Sequence, residues 1–237
     1  MKQVVIDTET TGLEIKEGHR IIEIGCVELV NRKLTGKTFH RYLNPKRSVD
    51  TAAFKIHGIT ESFLATQPAF EETIDELIEF IKNSELIAHN ISFDLGFLNH
   101  ELKLAGSPLI VEKIAKPLDT LELARKKFPG QQNTLDAICK RYKIDLSERK
   151  NKGHGALLDA TLLAEAYLLM TRKQNNLFDA IEIDQPSVLA RKACQRAINH
   201  QLKTVVIKAT PEELTTHHNY LKKLTPNLKT THEPVKP

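Results

Sequence analysis

The chain has 237 residues, 41% of them hydrophobic and 27% charged, which are ordinary values for a globular protein. This length allows one domain of ordinary size and an additional segment. The net charge of +4 is too small to indicate nucleic-acid binding by itself, and three widely spaced cysteines argue against a disulfide framework or a zinc site. No apolar signal segment begins the chain, and no run approaches the ~18 apolar residues that a membrane span needs. We therefore expect a soluble, cytoplasmic protein without a membrane partner.

The first predicted strand ends in two carboxylates. Val4, Val5 and Ile6 form an apolar run that predicts a buried strand, and Asp7 and Glu9 follow it. Because residues i and i+2 point to the same face of a strand, the two carboxylates should project together, where they could bind Mg²⁺ or Mn²⁺. The alternative is a strand that stops in a solvated acidic turn.

The segments that follow predict an α/β fold. Strands at 19–31 and 37–43, joined by a short polar turn, indicate an antiparallel meander beside the first strand. Two shorter strands are predicted at 85–89 and 116–118. Helices are predicted at 48–56, 70–81, 121–128, 134–142 and 156–171, and another follows the strand at 85–89 and runs through Phe93, Phe97, Leu98 and Leu102. Together these elements predict a mixed five-stranded sheet flanked by helices.

A further acid, Asp94, follows the strand at 85–89. Asn90 and Asp94 are four residues apart, so we expect them to share one face of a helix, with Phe93 turned to the core. The alternative is that Asp94 merely interacts favourably with the dipole of the helix in whose first turns it lies.

His154 and Asp159 are five residues apart, so they cannot converge if both are on one helix. Gly153 and Gly155 indicate that His154 belongs to a flexible loop and Asp159 to the first turn of the next helix. The small side chain of Ala156 would let this helix approach the sheet closely. The alternative for His154 is a solvated loop histidine.

These residues form an ordered pattern over positions 1 to about 172: Asp-x-Glu, then Asn-x-x-Phe-Asp, then His-x-Ala-x-x-Asp. The pattern resembles the DEDDh family of 3′→5′ exonucleases. Further stretches are similar to the proofreading epsilon subunits of bacterial DNA polymerase III, namely 7–13, 18–25, 30–36, 128–130 and 154–160. The resemblance implies a ribonuclease-H-like sheet and an exonuclease domain over 1–173.

The resemblance also implies roles for the five polar residues. The carboxylates of Asp7, Glu9, Asp94 and Asp159 would hold two divalent metal ions, Mg²⁺ or Mn²⁺. Asp7 would bridge both ions, Glu9 and Asp159 would complete one site, and Asp94 would support the other. His154 would be the general base for the attacking water, and its place beside two glycines suggests that it moves in when substrate binds.

Further residues would contact the 3′-terminal nucleotide of single-stranded DNA, by the same resemblance. Besides three of the acids (Asp7, Glu9 and Asp159), these are Thr8, Thr10, Leu13, Ile56 and His57. For Leu13 and Ile56 the alternative is an ordinary place in the core. The basic run Lys140, Arg141, Lys143, Arg149, Lys150 and Lys152 either contacts phosphates of the strand or forms a solvated face.

The composition changes after residue 173, since no glycine occurs beyond Gly155 and the remaining residues make a poor independent core. Gln174, Leu177 and Phe178 resemble the peptide by which bacterial proteins bind the sliding clamp, within a linker over 174–184. The tail over 185–237 is expected to be partly helical and flexible, and by the resemblance it binds the polymerase III alpha subunit. The sequence leaves open whether a small accessory subunit is bound.

Three functions are compatible with these features. The first is a metal-dependent 3′→5′ exonuclease that proofreads for a replicative polymerase and releases nucleoside 5′-monophosphates. The second is a DEDDh ribonuclease that acts on short RNA or RNA 3′ ends, against which the long tail argues. The third is a structural subunit that only bridges polymerase and clamp, against which the complete set of five polar residues argues.

Overall fold

The structure of the protein, a computed structural model, describes residues 1–172 and 209–224. The chain divides into two units, Met1–Gln174 and Asn175–Pro237. The predicted clamp peptide, Gln174, Leu177 and Phe178, lies outside the described residues, as does most of the predicted tail.

The first unit is built on a five-stranded sheet with the strand order β3-β2-β1-β4-β5. The strands are β1 (Lys2–Thr10), β2 (Ile21–Val30), β3 (Lys33–Tyr42), β4 (Glu85–Ala88) and β5 (Lys116–Asp119). β1, β2 and β3 are antiparallel neighbours, whereas β4 is parallel to β1 and β5 is parallel to β4. The prediction of a mixed five-stranded sheet with an N-terminal meander is confirmed.

Helices connect and cover these strands. They are α1 (Thr51–His57), α2 (Glu61–Leu64), α3 (Ile74–Ile81), α4 (Ile91–Leu104), α5 (Val111–Ile114), α6 (Thr120–Lys127), α7 (Leu135–Tyr142), α8 (Ser147–Lys152) and α9 (Ala156–Met170). Single 3₁₀ turns occur at Ile15–Glu17 and Phe70–Glu72. The predicted helix over 70–81 is therefore broken, because the Thr73 hydroxyl donates to the carbonyl of Phe70 and α3 begins only after it.

The third strand begins four residues earlier than predicted. Asn31 and Arg32 both have positive φ, at 50° and 63°, and Val30 pairs directly with Lys33. This is the geometry of a two-residue hairpin turn, whose twist matches that of the strands. The polar turn therefore occupies two residues and not the longer segment that the sequence indicated.

The sheet has a core on each face, which explains the unbroken apolar run in β1. Val4 and Ile6 are buried on one face together with Leu98 of α4. Val5 is buried on the other face with Ile138 of α7 and Leu163 of α9. A central strand covered on both sides lacks the polar alternation of a half-exposed strand.

The N-terminus of α9 lies directly against β2. Gly25 of β2 pairs with Asp7, and a Cβ atom placed on Gly25 would lie 2.2 Å from the backbone nitrogen of Leu157. Ala156 is completely buried at this contact. The close approach expected from Ala156 thus depends equally on Gly25, and it sets the first turn of α9 beside the end of β1.

The second unit contains one described helix, α10 (Pro211–Leu224). Its start carries a reciprocal capping box, because the Glu213 carboxylate accepts from the backbone N–H of Thr210 and the Thr210 hydroxyl accepts from that of Glu213. Pro211 occupies the first helical position, where its missing N–H costs no hydrogen bond. Of the helices that the structure describes, in either unit, none combines the length and apolar character of a membrane span.

Candidate active site

Asp7 and Glu9 lie at the carboxyl end of β1, in the middle of the sheet. The β1–β2 register shifts between Glu9 and Thr10, so the regular ladder ends at this point. The two carboxylates project from the same face of the strand. They lie at the edge of the sheet where the parallel strands β1, β4 and β5 end.

Asp94 is brought to this edge by the first turn of α4. Its side chain is buried, and one carboxylate oxygen accepts a hydrogen bond of 2.7 Å from the Thr8 hydroxyl. The expectation that Asn90 and Asp94 share a helical face is wrong. Asn90 has φ 70° and stands just before the helix, because the chain needs a left-handed residue to pass from β4 into α4.

Asp159 and His154 meet as the glycine pattern predicted. Asp159 lies in the first turn of α9 and is buried, while His154 lies between α8 and α9 with Gly153 in the left-handed region at φ 81°. The Nδ1 atom of His154 is 3.3 Å from Oδ2 of Asp159. The backbone N–H of His154 also donates to the carbonyl of Ile56.

The four acids experience one another's charge. Burial, followed by repulsion from Asp94, Glu9 and Asp159, raises the pKa of Asp7 well above its ordinary range. Burial and the charge of Asp159 raise the pKa of Glu9 to about 7. Burial also raises the pKa of Asp94 to about 7, and hydrogen bonding with Asp159 raises the pKa of His154. The predicted five residues therefore form one electrostatic cluster.

This cluster fits divalent cations. When ionised, four neighbouring carboxylates repel one another. Divalent cations, which prefer oxygen ligands, would offset this repulsion. Oδ1 of Asp159 is buried and has no hydrogen-bond partner among the described residues. One possible ligand atom each of Glu9, His154 and Asp159 lies within 4.8 Å of the others.

One residue of the basic run belongs to the cluster. The side chain of Arg149 is only 11% exposed, and its Nη2 atom lies 2.8 Å from Oδ2 of Asp159 and 2.8 Å from Nδ1 of His154. Arg149 therefore lies neither on a solvated face nor at a free phosphate-binding position. Lys140 and Lys143 are exposed, as the solvated-face alternative predicts. The signal missed in the sequence was α8 itself, since a helix buries one side of an otherwise polar segment.

A cavity of about 360 Å³ opens beside Glu9. All the predicted nucleotide contacts outside the cluster line it: Thr8, Thr10, Leu13, Ile56 and His57. Leu13 is 75% exposed and Ile56 52% exposed, so the alternative that they belong to the core is wrong. Phe93 also lines the cavity, although the helical pattern indicated only a core position for it.

Glu23 is a buried acid near the site that sequence reasoning missed. It is 2% exposed, and one of its oxygens accepts a 2.7 Å hydrogen bond from Nε2 of His40. Its charge contributes to the raised pKa of Glu9, after burial and Asp159. The available signal was an acid inside the apolar run of β2, where a charged residue is rarely buried without a partner.

Comparison with known proteins assigns this chain to a family. The model of the exonuclease family matches residues 4–167. The DNA polymerase III epsilon subunit of Salmonella typhimurium is 45% identical over 225 residues, which cover 93% of this chain and 92% of that protein. This chain belongs to the family of DNA polymerase III epsilon subunits.

Another relative and a solved structure agree with this assignment. The epsilon subunit of Escherichia coli is 46% identical over 221 residues, covering 91% of this chain and 90% of that one. The structure of exonuclease X in complex with 5′-overhanging duplex DNA has 26% identity and a TM-score of 0.55, over 71% of this chain and 90% of that one. The predicted exonuclease fold and epsilon family are confirmed, and with them an enzyme whose family works with divalent metal ions.

Proposed function

We propose that this epsilon-family exonuclease removes nucleotides from the 3′ end of single-stranded DNA, in particular from a mispaired primer end. The observation that carries the proposal is the convergence of Asp7, Glu9, Asp94, His154 and Asp159 in one cluster, whose member Glu9 also lines the cavity. Residues from a strand, two helices and a loop have no structural reason to bring four acids and a histidine together. A buried cluster of this kind is typical of a catalytic site.

We assign Asp7, Glu9, Asp94 and Asp159 as the ligands of two divalent ions, either Mg²⁺ or Mn²⁺. Two such ions stabilise the attacking and the leaving oxygen of an in-line displacement. The raised pKa values of Asp7, Glu9 and Asp94 support this role, because a cation would offset the charge that burial and mutual repulsion make unfavourable.

We assign His154 as the general base. Its side chain is 41% exposed, so water and the terminal phosphate can reach it. His154 takes a proton from the attacking water, whose oxygen then bonds to the terminal phosphorus. The bond from phosphorus to the 3′ oxygen of the preceding nucleotide breaks, that oxygen takes up a proton from solvent, and a nucleoside 5′-monophosphate leaves.

The cavity beside Glu9 would hold the terminal nucleotide. Its volume of about 360 Å³ lies within the range of small-ligand pockets. Leu13 and Ile56 offer exposed apolar surface to the base and sugar, and Phe93 offers an aromatic one. Such contacts do not depend on which base is present, which suits removal of any mispaired nucleotide.

The tail gives the chain partners that hydrolysis alone does not need. We propose that 1–173 is the catalytic domain, that Gln174, Leu177 and Phe178 in the linker over 174–184 bind the sliding clamp, and that 185–237 binds the polymerase III alpha subunit in the cytoplasm. The epsilon-subunit relatives align over 93% of the chain, so the similarity extends into the tail. Helix α10 supports docking through an exposed Leu214.

A primer with a mismatched 3′ end tests the catalytic proposal. Incubated with the full chain and Mg²⁺ or Mn²⁺, it should lose nucleoside monophosphates from its 3′ end, and chelation of the metal should stop the reaction. Short RNA of the same sequence is the comparison substrate. Faster degradation of RNA than of mismatched DNA would replace proofreading by the ribonuclease function, and hydrolysis in the presence of chelator would reject the metal site.

A double substitution tests the clamp peptide. Leu177→Ala with Phe178→Ala should weaken binding to the sliding clamp and leave hydrolysis of a free oligonucleotide intact. Asn175→Ala with Asn176→Ala in the same peptide is the matched control and should bind the clamp normally. Equal clamp affinity for both double variants would reject the assignment.

A further inference from the structure

Arg149 is a buried cation whose surroundings the proposed reaction does not explain. Its guanidinium is 11% exposed and its Nε atom is buried without a hydrogen-bond partner among the described residues. Buried arginines are rare unless acids surround them. The partners of Arg149 therefore indicate what the side chain does.

The guanidinium contacts two aspartates, one inside the catalytic cluster and one outside it. Nη2 lies 2.8 Å from Oδ2 of the buried Asp159 and 2.8 Å from Nδ1 of His154. Nη1 pairs with Asp136 on α7, whose side chain is 49% exposed. One side of Arg149 thus faces the catalytic cluster, while the other side is held by an acid that takes no part in it.

The contact with Asp159 occupies one oxygen, Oδ2, of a carboxylate assigned as a metal ligand, and it leaves Oδ1 as the oxygen without a hydrogen-bond partner among the described residues. A guanidinium and a divalent cation compete for the lone pairs of the same carboxylate. The charge of Arg149 also reaches further, since it opposes the raised pKa values of Asp7 and Glu9. In this position Arg149 supplies part of the positive charge that the four acids lack without metal.

We propose that Arg149 is an internal counter-cation of the metal-free site, which pairs with Asp159 until a divalent ion binds and afterwards keeps only its partner Asp136. The proposal rests on the proposed function, because it takes Asp159 as a metal ligand. Asp136 gives the displaced guanidinium a charged partner, so that Arg149 keeps one ion pair after the metal has bound. The apparent metal affinity then equals the intrinsic affinity multiplied by the fraction of molecules in which Asp159 is free of Arg149.

Binding of Mn²⁺ to the full chain without DNA tests this inference, with free Mn²⁺ measured by electron paramagnetic resonance. Arg149→Gln should tighten binding about tenfold, because the competing cation is gone. Asp136→Asn should weaken it about threefold, because the displaced guanidinium loses its second partner. The double variant should bind like Arg149→Gln alone. Lys140→Gln, which removes an exposed charge from α7, is the matched control and should bind like wild type.

The outcomes separate this inference from the metal site itself. Absence of Mn²⁺ binding by the wild type would reject the metal ligands assigned above. If the wild type binds but Arg149→Gln binds equally or more weakly, the counter-cation role is overturned. Should Arg149→Gln fail to fold, Asp136→Asn decides, and unchanged or tighter binding in that variant overturns the inference.

Discussion

The active site has two sides whose charges are balanced differently. The strand side consists of Asp7 on β1 and Asp94 on α4, held by the sheet and by the hydrogen bond from Thr8. The loop side consists of His154 and Asp159 together with Glu9, which stands at the end of β1 but lies close enough to both to share one cation with them. Among the described residues, Arg149 pairs with an acid of the loop side, and no cation pairs with an acid of the strand side.

This difference allows one part of the site to be fixed before ligands bind and another part to rearrange. On the strand side the backbone fixes the carboxylates before any ligand arrives, and burial raises their pKa values. On the loop side a movable cation and a histidine between two glycines balance the charge, so this side can rearrange when metal and substrate bind. The groups that can adjust, Arg149 and His154, thus lie on α8 and the loop after it and not on the sheet.

The largest effect is expected on the strand side. Asp7→Asn should lower the rate of 3′-terminal hydrolysis by ~10⁴-fold, because it would remove a carboxylate assigned to the metal ions and with it several kcal/mol of transition-state stabilisation. Single-turnover hydrolysis of an oligonucleotide measures this. Asp75→Asn, at an exposed acid of α3, is the control and should have wild-type rates. A rate for Asp7→Asn within tenfold of wild type would contradict the central role of the strand side.

On the loop side, removing the base should separate chemistry from metal binding. His154→Ala should lower turnover ~10²–10⁴-fold, because it removes the group assigned as general base. The carboxylates remain, so Mn²⁺ binding should survive. Turnover and Mn²⁺ affinity are measured on the same preparation. Wild-type turnover would remove His154 from the mechanism.

The contact that joins the two sides can be broken from β2. Gly25→Ala would place a Cβ atom 2.2 Å from the Leu157 backbone, so α9 must move and Asp159 must move with it. A displacement of this kind should lower activity about 10²-fold, together with the melting temperature. Gly96→Ala on α4 is the control, because its Cβ would meet only the flexible end of Ile15 at 3.2 Å. Equal activity of both variants would show that α9 does not depend on Gly25.

The smallest effect is a pH dependence of stability. The pKa values of Glu9 and Asp94 are raised to about 7, so between their ordinary range and about pH 7 the folded metal-free protein holds protons that the unfolded chain has released. Their contribution is therefore complete at low pH and is lost as pH rises through about 7.

With chelator present, the melting temperature should fall between about pH 4 and about pH 7, and excess Mg²⁺ should reduce that fall because the ion offsets the ionised acids. Asp94→Asn should reduce the slope in chelator, since an amide does not titrate. Calorimetric scans with and without Mg²⁺ measure both slopes. Equal slopes in the two conditions would mean that the acids are not coupled to a metal site.

The sequence alone was enough to predict the paired carboxylates of β1, Asp7 and Glu9, and the identities of all five polar residues. Period-two spacing fixes the common facing of Asp7 and Glu9, and the glycines around His154 separate it from the helix of Asp159. These are local signals, since each depends on the conformation of a few consecutive residues. The family resemblance added the roles, and the structure brought the residues together.

The surroundings of the five polar residues became evident only in the folded structure. The burial of Arg149 between Asp136 and Asp159, the approach of α9 to Gly25, and the exposure of Leu13 and Ile56 at the cavity all join segments that are distant along the chain. A basic residue in a polar run has the same local pattern whether it faces water or a cluster of acids. Its environment is set by the packing of helices on the sheet, which sequence periodicity does not specify.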